Sequence, residues 1–470
     1  MTRKGGFDGV VLPDSILVKD YAKTRRILLR DNSLTRIVYL DRAFKGVNHD
    51  TALIIFARGK LPDFELAVGI LPRNATAISS YLVPFRSEVF DNHELEYRFN
   101  LNLVHPHNQN LYLRLSSLPK FGEIGEFHEG IHTGNIRDKL FHKTKPQYQP
   151  ASSVKPCLIG ASYGDEFGRY FCAPNGNWTI YDPSLVNKDK EEYASLRDEN
   201  IFIGPKLYVT RTGDDFFSFF DESHYASNNL FSFKFKAKEP ALSYWFVMTL
   251  LNSAFAQRFN RLFLAPRFGD LFTETKILHL ELLPFPNIRF STPEKSRTSL
   301  GAKSKQLYQR SVSDGNADRV LAFVAEQLAA KPERADVVHD LLAFLAEQMT
   351  ALNWEKRAAA KQFLTDLKDF HDVDTHTLKP KTKLAKFWEL EAAEIFAHFR
   401  ANKLRLKDSD EEKIRARFQK AKDQLVLLES SLAFTDDLID EIVYRLYGLT
   451  EAEIKIVSIR GCNSSMVRVA

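Results

Sequence analysis

The spacing of apolar residues changes twice along the 470-residue chain, and these changes constrain its fold more than any single motif. Residues 1–62 have the pattern of short strands around one helix. Residues 63–290 alternate short apolar runs with clusters of Gly, Pro, Asn and Asp, which is typical of a β-rich, loop-rich domain. From about 300 to 455, apolar residues recur every three or four positions, as in packed helices. No fixed-period repeat is present, so the pattern predicts several unlike domains.

The first region has the pattern of one end of an α/β domain. Val10, Val11 and Leu12 are consecutive apolar residues, which predicts a strand buried on both faces, as in a parallel sheet. A helix is predicted over 20–30 and two further strands over 36–40 and 52–56. Because such a sheet needs neighbours on each side, the segment is predicted to be the last part of a larger α/β domain.

The later regions are predicted mainly from helical periodicity. One helix is expected over 242–261, and an exposed loop over 370–386. Gly448 fits a left-handed helix end, and Thr450 with Glu453 fits a capping box for the last helix. The predicted domains are therefore 1–62, a β-rich domain over 63–290, a helical region over 291–456 and a disordered tail over 457–470.

Composition narrows the classes of partner and compartment. The chain has 65 Lys and Arg against 60 Asp and Glu, a net charge of +5, of which the first 60 residues contribute +6. That balance alone fits a solvated surface as well as a polyanion partner. No stretch of 18 uncharged apolar residues and no secretory signal are visible, which predicts a cytoplasmic protein without a membrane span. The three cysteines are too few and scattered for a disulfide framework or a zinc site.

Self-contained catalytic motifs are missing from the sequence. Phosphate-binding, dinucleotide-binding, HExxH, GxSxG and kinase signatures are all absent. Asp214 and Asp215 follow a Thr-Gly turn and could bind a cation, although turn carboxylates are usually solvated. No metal site is predicted, and whether the chain is an enzyme by itself stays open.

Seven short segments, in order along most of the chain, together resemble the class I N6-adenine DNA methyltransferases that are fused to restriction enzymes. Their target-recognition part is a TaqI-like C-terminal specificity domain. The segments are 5–15 (GGFDGVVLPDS), 130–135 (GIHTGN), 205–213 (PKLYVTRTG), 225–231 (YASNNLF), 250–253 (LLNS), 276–286 (KILHLELLPFP) and 442–450 (IVYRLYGLT).

The resemblance implies a fold and a function. The fold class would be an α/β remnant of a Rossmann-like methyltransferase sheet, then an α+β target-recognition domain, then an all-α helical C-terminal region. The expected function is sequence-specific recognition of double-stranded DNA for adenine-N6 methylation in a prokaryotic restriction–modification system. Such a protein would be nucleoid-associated when bound to DNA.

One departure from the family matters. The family binds S-adenosylmethionine through an acidic-Gly-x-Gly loop and holds the flipped adenine in an Asn-Pro-Pro-Tyr loop. This sequence contains no Pro-Pro dipeptide, and 182–185 (DPSL) is the nearest approach. The expectation is that this chain binds no cofactor alone and is completed by a separate methyltransferase half. The alternatives are a complete but divergent methyltransferase and a helical protein-interaction module that does not bind DNA.

The resemblance also indicates site residues. Phe44 lies where the family has an aromatic that stacks on the flipped adenine, although a hydrophobic plug for the sheet edge is the simpler alternative. Asn and Arg side chains suit adenine and guanine edges, and Lys and Arg suit phosphates. Each of these could also be an ordinary solvent-exposed charge or turn former. The DNA-binding candidates are Thr133, Asn135, Arg137, Arg169, Lys206, Arg211, Thr212, Arg267 and Lys276.

Overall fold

The computed structural model describes residues 3–458 apart from 20, 42, 45–48, 63, 72–78, 85–89, 105, 161–166, 175, 214, 237–240, 267–273 and 405. Three parts can be distinguished by secondary structure. A five-stranded sheet comes first, two further sheets with short helices follow, and long helices occupy the C-terminal part.

The first sheet has the strand order β1-β3-β2-β4-β5. Only β2 and β4 run parallel, and the other neighbours are antiparallel. The sheet therefore continues past residue 62, where the first predicted domain ends. Its elements are β1 (Phe7–Pro13), α1 (Ser15–Val18), α2 (Ala22–Arg30), β2 (Ser33–Tyr39), β3 (Thr51–Ala57), β4 (Glu65–Ile70) and β5 (Ser79–Pro84).

The prediction of a strand buried on both faces at 10–12 is wrong. Within the described part of the chain, strand β1 pairs only with β3, antiparallel, and its side chains alternate between exposed and half-buried. Val10 and Leu12 pack against the core, whereas Phe7 and Val11 point to the other face and are 61% and 48% exposed. A consecutive apolar run was misleading here because both faces of an edge strand can be apolar without both being covered.

Two four-stranded sheets form the middle of the chain. One has the order β13-β12-β15-β6 and is antiparallel throughout; the other has the order β14-β8-β11-β7 with one parallel pair, β8 and β14. Strands β9 and β10 form a separate hairpin. The strands are β6 (Gly125–Glu129), β7 (Phe141–His142), β8 (Val154–Leu158), β9 (Phe167–Gly168), β10 (Phe171–Cys172), β11 (Trp178–Ile180), β12 (Lys206–Thr210), β13 (Ser218–Asp221), β14 (Tyr225–Ala226) and β15 (Leu230–Phe235).

The helical C-terminal region is confirmed. Its two longest helices, Ala335–His371 (α11) and Asp408–Leu446 (α13), pack against each other over much of their length. No helix of the described residues is both long and apolar enough to cross a membrane. The remaining helices are α3 (Pro106–Ser116), α4 (Phe121–Ile124), α5 (Arg137–Leu140), α6 (Tyr244–Asn252), α7 (Ala254–Phe259), α8 (Ile277–Glu281), α9 (Glu294–Asp314), α10 (Asp318–Ala329), α11 (Ala335–His371), α12 (Ala392–Ala401), α13 (Asp408–Leu446) and α14 (Glu451–Val457).

Several local predictions can be compared directly with the structure. The single helix expected over 242–261 is broken at Ser253, which has extended backbone angles and caps α7 through its hydroxyl. The loop over 370–386 is present, but it is not simply exposed, because Val373, Leu378 and Leu384 are buried. The capping box of Thr450 and Glu453 is confirmed. The predicted disordered tail lies mostly outside the described residues.

Three hydrophobic cores hold these elements. The largest combines the first sheet, the inner strands of the β6-containing sheet and the proximal helices, so it crosses the predicted boundaries at 62 and 290. A second core lies between the two middle sheets and includes Cys157 and Phe167. The third core lies at the distal ends of α11 and α13, around Phe387 and Phe418.

Candidate nucleic-acid interface

A tight turn at 130–135 is fixed against the segment 191–195. The backbones of His132 and Ser195 exchange two hydrogen bonds of 2.8 and 2.9 Å. Gly134 has a φ of 52°, and a Cβ there would lie 1.8 Å from the carbonyl oxygen of Tyr193, so only glycine fits. Asn135 closes the junction, because its Nδ2 donates to the carbonyl of Glu191 (3.1 Å) and its Oδ1 accepts from the amide of Tyr193 (2.9 Å).

This junction presents an aromatic and a cationic side chain to solvent. Tyr193 is 60% exposed, and Arg137 is exposed with its guanidinium 5.3 Å from the centroid of the Phe141 ring. Arg137 has no ion pair within the described ranges. Sequence reasoning did not select Tyr193. The signal that could have found it is the pairing of its segment with the Thr-Gly-Asn turn, which is not a local feature.

A chain of alternating charges continues from the junction. Glu129 accepts from both Arg197 and Arg211, and Arg211 also donates to Glu274. The backbone carbonyl of Arg211 accepts from the amide of Thr275 (2.9 Å), which brings Lys276 close. The two carboxylates hold the guanidinium groups in fixed positions at a quarter to a third exposure.

We name the surface formed by 129–137, 191–197, 211–213 and 274–276 the rim. It brings together six of the candidates proposed from sequence: Thr133, Asn135, Arg137, Arg211, Thr212 and Lys276. The side chains of Thr212, Arg137 and Lys276 are exposed, whereas that of Thr133 is half-buried. The amide of Asn135 is already used at both ends, so a base contact by that group would replace two internal hydrogen bonds.

Lys206 does not belong to the rim, and its prediction as a phosphate ligand is wrong. Its side chain is 0% exposed, and its Nζ lies 2.8 Å from Oδ1 of Asp221. Burial lowers the pKa of Lys206, although the pairing with Asp221 acts in the opposite direction. A buried, paired ammonium cannot reach a DNA backbone.

Arg169 is committed to a contact between domains. Its Nη1 donates to Oδ2 of Asp436 in α13 (2.7 Å), and its Nη2 donates to the carbonyl of Asn252. It borders a cleft with Arg258 and Arg261, and Arg261 pairs with Asp215 at 2.7 Å. Arg169 therefore ties the helical region to the middle sheets, which a phosphate contact would disrupt.

The remaining candidates lie apart from the rim or outside the described residues. Phe44, in the loop between β2 and β3, is 46% exposed. At the base of that loop the hydroxyl of Tyr39 donates to Asp50 (2.7 Å), and burial together with this bond raises the pKa of Tyr39. Arg267 and Asp214 lie outside the described residues. Among those described, no group of three His, Cys, Asp or Glu side chains could hold a metal ion.

Comparison with protein-family models finds two matches. Residues 162–285 match the TaqI-like C-terminal specificity domain, and residues 337–443 match a domain of unknown function, DUF8810. The first match confirms the resemblance to a target-recognition domain. It includes Arg211 and Lys276 of the rim, whereas the turn at 130–135 precedes it. A comparison with curated protein sequences finds no match.

Three solved structures are similar over part of the chain. The type IIG restriction endonuclease BpuSI has a TM-score of 0.28 and 11% identity over 63% of this chain. The type IIL restriction–modification enzyme MmeI, solved in complex with DNA, has a TM-score of 0.37 and 11% identity over 72%. A nuclease-deletion mutant of the type ISP enzyme LlaGI, with a DNA substrate mimic, has a TM-score of 0.35 and 12% identity over 65%. The matches span 42%, 46% and 35% of those chains, less than half of each.

Proposed function

Because residues 162–285 carry a TaqI-like C-terminal specificity domain, we propose that this protein recognises a specific sequence in duplex DNA within a restriction–modification system. The family match is the observation that carries the proposal. The rim supplies suitable chemistry, since Arg137 and Arg211 offer planar donors for guanine edges and Tyr193 offers an exposed ring.

The rim is suited to reading bases because its donors are held before DNA arrives. Glu129 and Glu274 fix the guanidinium of Arg211, so little side-chain entropy would be lost when a base edge replaces one carboxylate. Those carboxylates also discourage binding to phosphates alone, because they offset the positive charge. Selectivity for base edges over the backbone follows from this arrangement.

We further propose that the methylated atom is N6 of adenine and that a separate methyltransferase half completes the active centre. The segment resembling the family at 5–15 supports this, as does the position of β1 at the edge of the sheet formed by the described residues. Exposed Phe7 and Val11 on an edge strand are an interaction hazard unless another strand or chain covers them. The partner would add a strand beside β1.

The residues that the structure describes do not offer the loop with which the family holds S-adenosylmethionine. In the described sheet, β1 leads through Asp14 directly into the four-residue α1, and no acidic-Gly-x-Gly loop follows a strand. The cofactor would have to be held by the proposed partner.

Sequence-specific binding is tested by selection from a random duplex pool, followed by affinity measurements on the enriched site. We expect Arg211→Ala to weaken binding to that site by about 1–3 kcal/mol and to relax the preference at one base pair. Arg319→Ala is the matched control, since Arg319 is an exposed arginine of α10 paired with Asp314. Failure of the pool to converge on any sequence would contradict the proposal.

The methylation proposal has its own test. The purified chain is incubated with labelled S-adenosylmethionine and DNA, alone and together with a candidate methyltransferase half taken from the neighbouring reading frame. Label is expected in N6-methyladenine only with both proteins present, and Phe44→Ala should reduce that yield while site binding is retained. Methylation by the isolated chain would disprove the need for a partner.

A further inference from the structure

Helix α9, Glu294–Asp314, has a long surface without a carboxylate. Residues 295–313 contain five Lys and Arg and no Asp or Glu, in a chain that carries 60 acidic residues in all. The other surface positions are mostly Ser, Thr and Gln. A helix of this composition has a positive surface along its whole length.

Cations surround a neutral centre on the exposed side of this helix, with Lys295 at its N-terminal end. Lys295, Lys303, Lys305 and Arg310 are all exposed, whereas Ser304, Tyr308 and Ser311 face the core. At 3.6 residues per turn, Lys303 and Arg310 fall within about 20° of each other, and Lys305 lies on the opposite flank.

Small and uncharged residues fill the space between the two flanks. Ser299, Ala302 and Gln306 lie there, and all three are exposed. We name the surface formed by Lys295, Lys303, Lys305 and Arg310 with this centre the basic face.

The basic face lacks the ion pairs common elsewhere on the surface. Arg297 is committed to Asp340 of α11, at 2.5 and 2.6 Å. The four cations of the face have no ion pair with any described residue. Lys303 and Lys305 instead lie over the rings of Phe323 and Phe344, at 5.4 and 4.9 Å from the centroids.

Helix α9, which carries the basic face, is held in place by contacts with α11 and α13. The hydroxyl of Tyr308 is buried and lies 2.8 Å from that of Thr435 in α13, and Arg297 fixes the first turns against α11. Four unpaired cations on one rigid surface repel one another, and a polyanion would relieve that repulsion.

We propose that the basic face binds the phosphodiester backbone of duplex DNA outside the base pairs recognised by the rim. This inference rests on the proposed function. Lys295 and Arg310 are 15 residues apart, about 22 Å along the helix. With one phosphate per about 3.4 Å of each strand, this length matches about six phosphates. The contact would add affinity but no sequence preference, because phosphates are the same at every base pair.

The test is the salt dependence of DNA binding by the full chain. The variant Lys303→Gln/Lys305→Gln/Arg310→Gln is titrated with duplexes that contain or lack the selected site, from about 50 to 200 mM salt. The slope of log K against log salt is negative, and each lost phosphate contact reduces its magnitude by about 0.9, so we expect the magnitude to decrease by about 2 to 3. The ratio of affinities for the two duplexes should stay unchanged.

The matched control is Lys407→Gln/Lys413→Gln/Lys420→Gln. These three lysines are exposed; Lys407 is the N-cap of α13 and the other two lie in its first four turns, and Asp408, Asp410, Glu411, Glu412 and Asp423 lie in the same segment. Both triple variants lose the same net charge, and circular dichroism verifies that both remain folded.

The possible outcomes separate this inference from the function it rests on. A slope of smaller magnitude in the basic-face variant, but not in the control variant, supports DNA binding by the basic face. Equal slopes in the two variants overturn it even if site-specific binding persists. A wild-type chain that binds no duplex overturns the proposed function instead. If the variant loses only its binding to phosphatidylserine vesicles, the basic face binds a membrane and the DNA proposal is wrong.

Discussion

Lys206 and Asp221 are a buried charge pair whose two members hold each other in place. The carboxylate accepts from Lys206, from the backbone amides of Ser223 and His224, and from Nδ1 of His224 at 2.7 Å. Burial opposes ionisation of Asp221, but the bonds from His224 and Lys206 outweigh it, so the pKa of Asp221 is below its ordinary value. The carboxylate is therefore ionised at neutral pH.

We expect Lys206→Met to lower the free energy of unfolding by about 3–5 kcal/mol, because it leaves an uncompensated buried carboxylate. The ionised carboxylate of Asp221 contributes to the free energy of unfolding above its ordinary pKa of 3.8. This contribution is lost as the pH falls through the lower pKa that Asp221 has in the folded state. Urea denaturation at neutral pH measures the effect. Lys188→Met, at an exposed position, should change stability by less than about 0.5 kcal/mol. A loss below about 1 kcal/mol in Lys206→Met would contradict the pair's importance.

The error about Lys206 shows what single-residue reasoning could not provide. A lysine beginning a strand is usually exposed, and its partner is 15 positions away. The two residues meet because β12 and β13 pair with Lys206 opposite Asp221. A cross-strand register was needed, whereas the sequence alone could identify only the strand. Arg211 lies directly after strand β12, as the sequence predicted, but its partners Glu129 and Glu274 come from two other segments.

At the scale of elements, the π-helical turn Asn260–Leu264 is held by polar groups from an earlier segment. The guanidinium of Arg98 donates to the carbonyl of Leu264 (2.8 Å) and lies 3.1 Å from Nε2 of His279 in α8. Since a guanidinium only donates, His279 accepts and must be neutral. Burial, together with Arg98 and Lys276, lowers the pKa of His279 to about 3.

This arrangement predicts acid sensitivity. His279 is neutral in the folded protein down to about pH 3 but takes up a proton near pH 6.5 when unfolded. The contribution of neutral His279 to the free energy of unfolding is therefore fully present above pH 6.5 and decreases as the pH falls toward 3. We expect His279→Gln to flatten the fall in unfolding free energy across that window, whereas His376→Gln, at an exposed position, should not. Parallel pH profiles for wild type and His279→Gln would contradict the assignment.

Element types were more predictable than element ends. The helical periodicity at 242–261 was real, because α6, α7 and the π-helical turn follow one another there. The break at Ser253 was not visible, since serine occurs both inside helices and at their caps. The position of the break is determined by a tertiary contact. Oδ1 of Asp440 accepts from the amide of Ala254 (2.8 Å), and this bond stabilises the start of a new helix. A residue 186 positions away settles the boundary.

At the scale of the whole molecule, α11 and α13 connect two separate cores. Their proximal parts belong to the largest core through Leu342 and Ile439, and their distal parts surround Phe387 with Phe363 and Phe418. The helical periodicity predicted this region but not its division, because both cores have the same apolar spacing. The intervening part is joined by surface contacts such as Lys356 with Glu429 (2.7 Å). Surface pairs of this kind contribute little stability, so the two ends can open independently.

This division predicts that the distal helices unfold without the DNA-reading part. Phe387 is fully buried in the distal core, and Phe387→Ala should cost about 3–5 kcal/mol there. Hydrogen exchange is expected to speed up in Ala392–Ala401, while β12 stays protected and affinity for the selected duplex is retained. The control Leu342→Ala, in the largest core, should instead lower protection in the proximal helices and in the sheets packed on them. Equal loss of protection in β12 and α12 for Phe387→Ala would mean that the molecule unfolds as one cooperative unit.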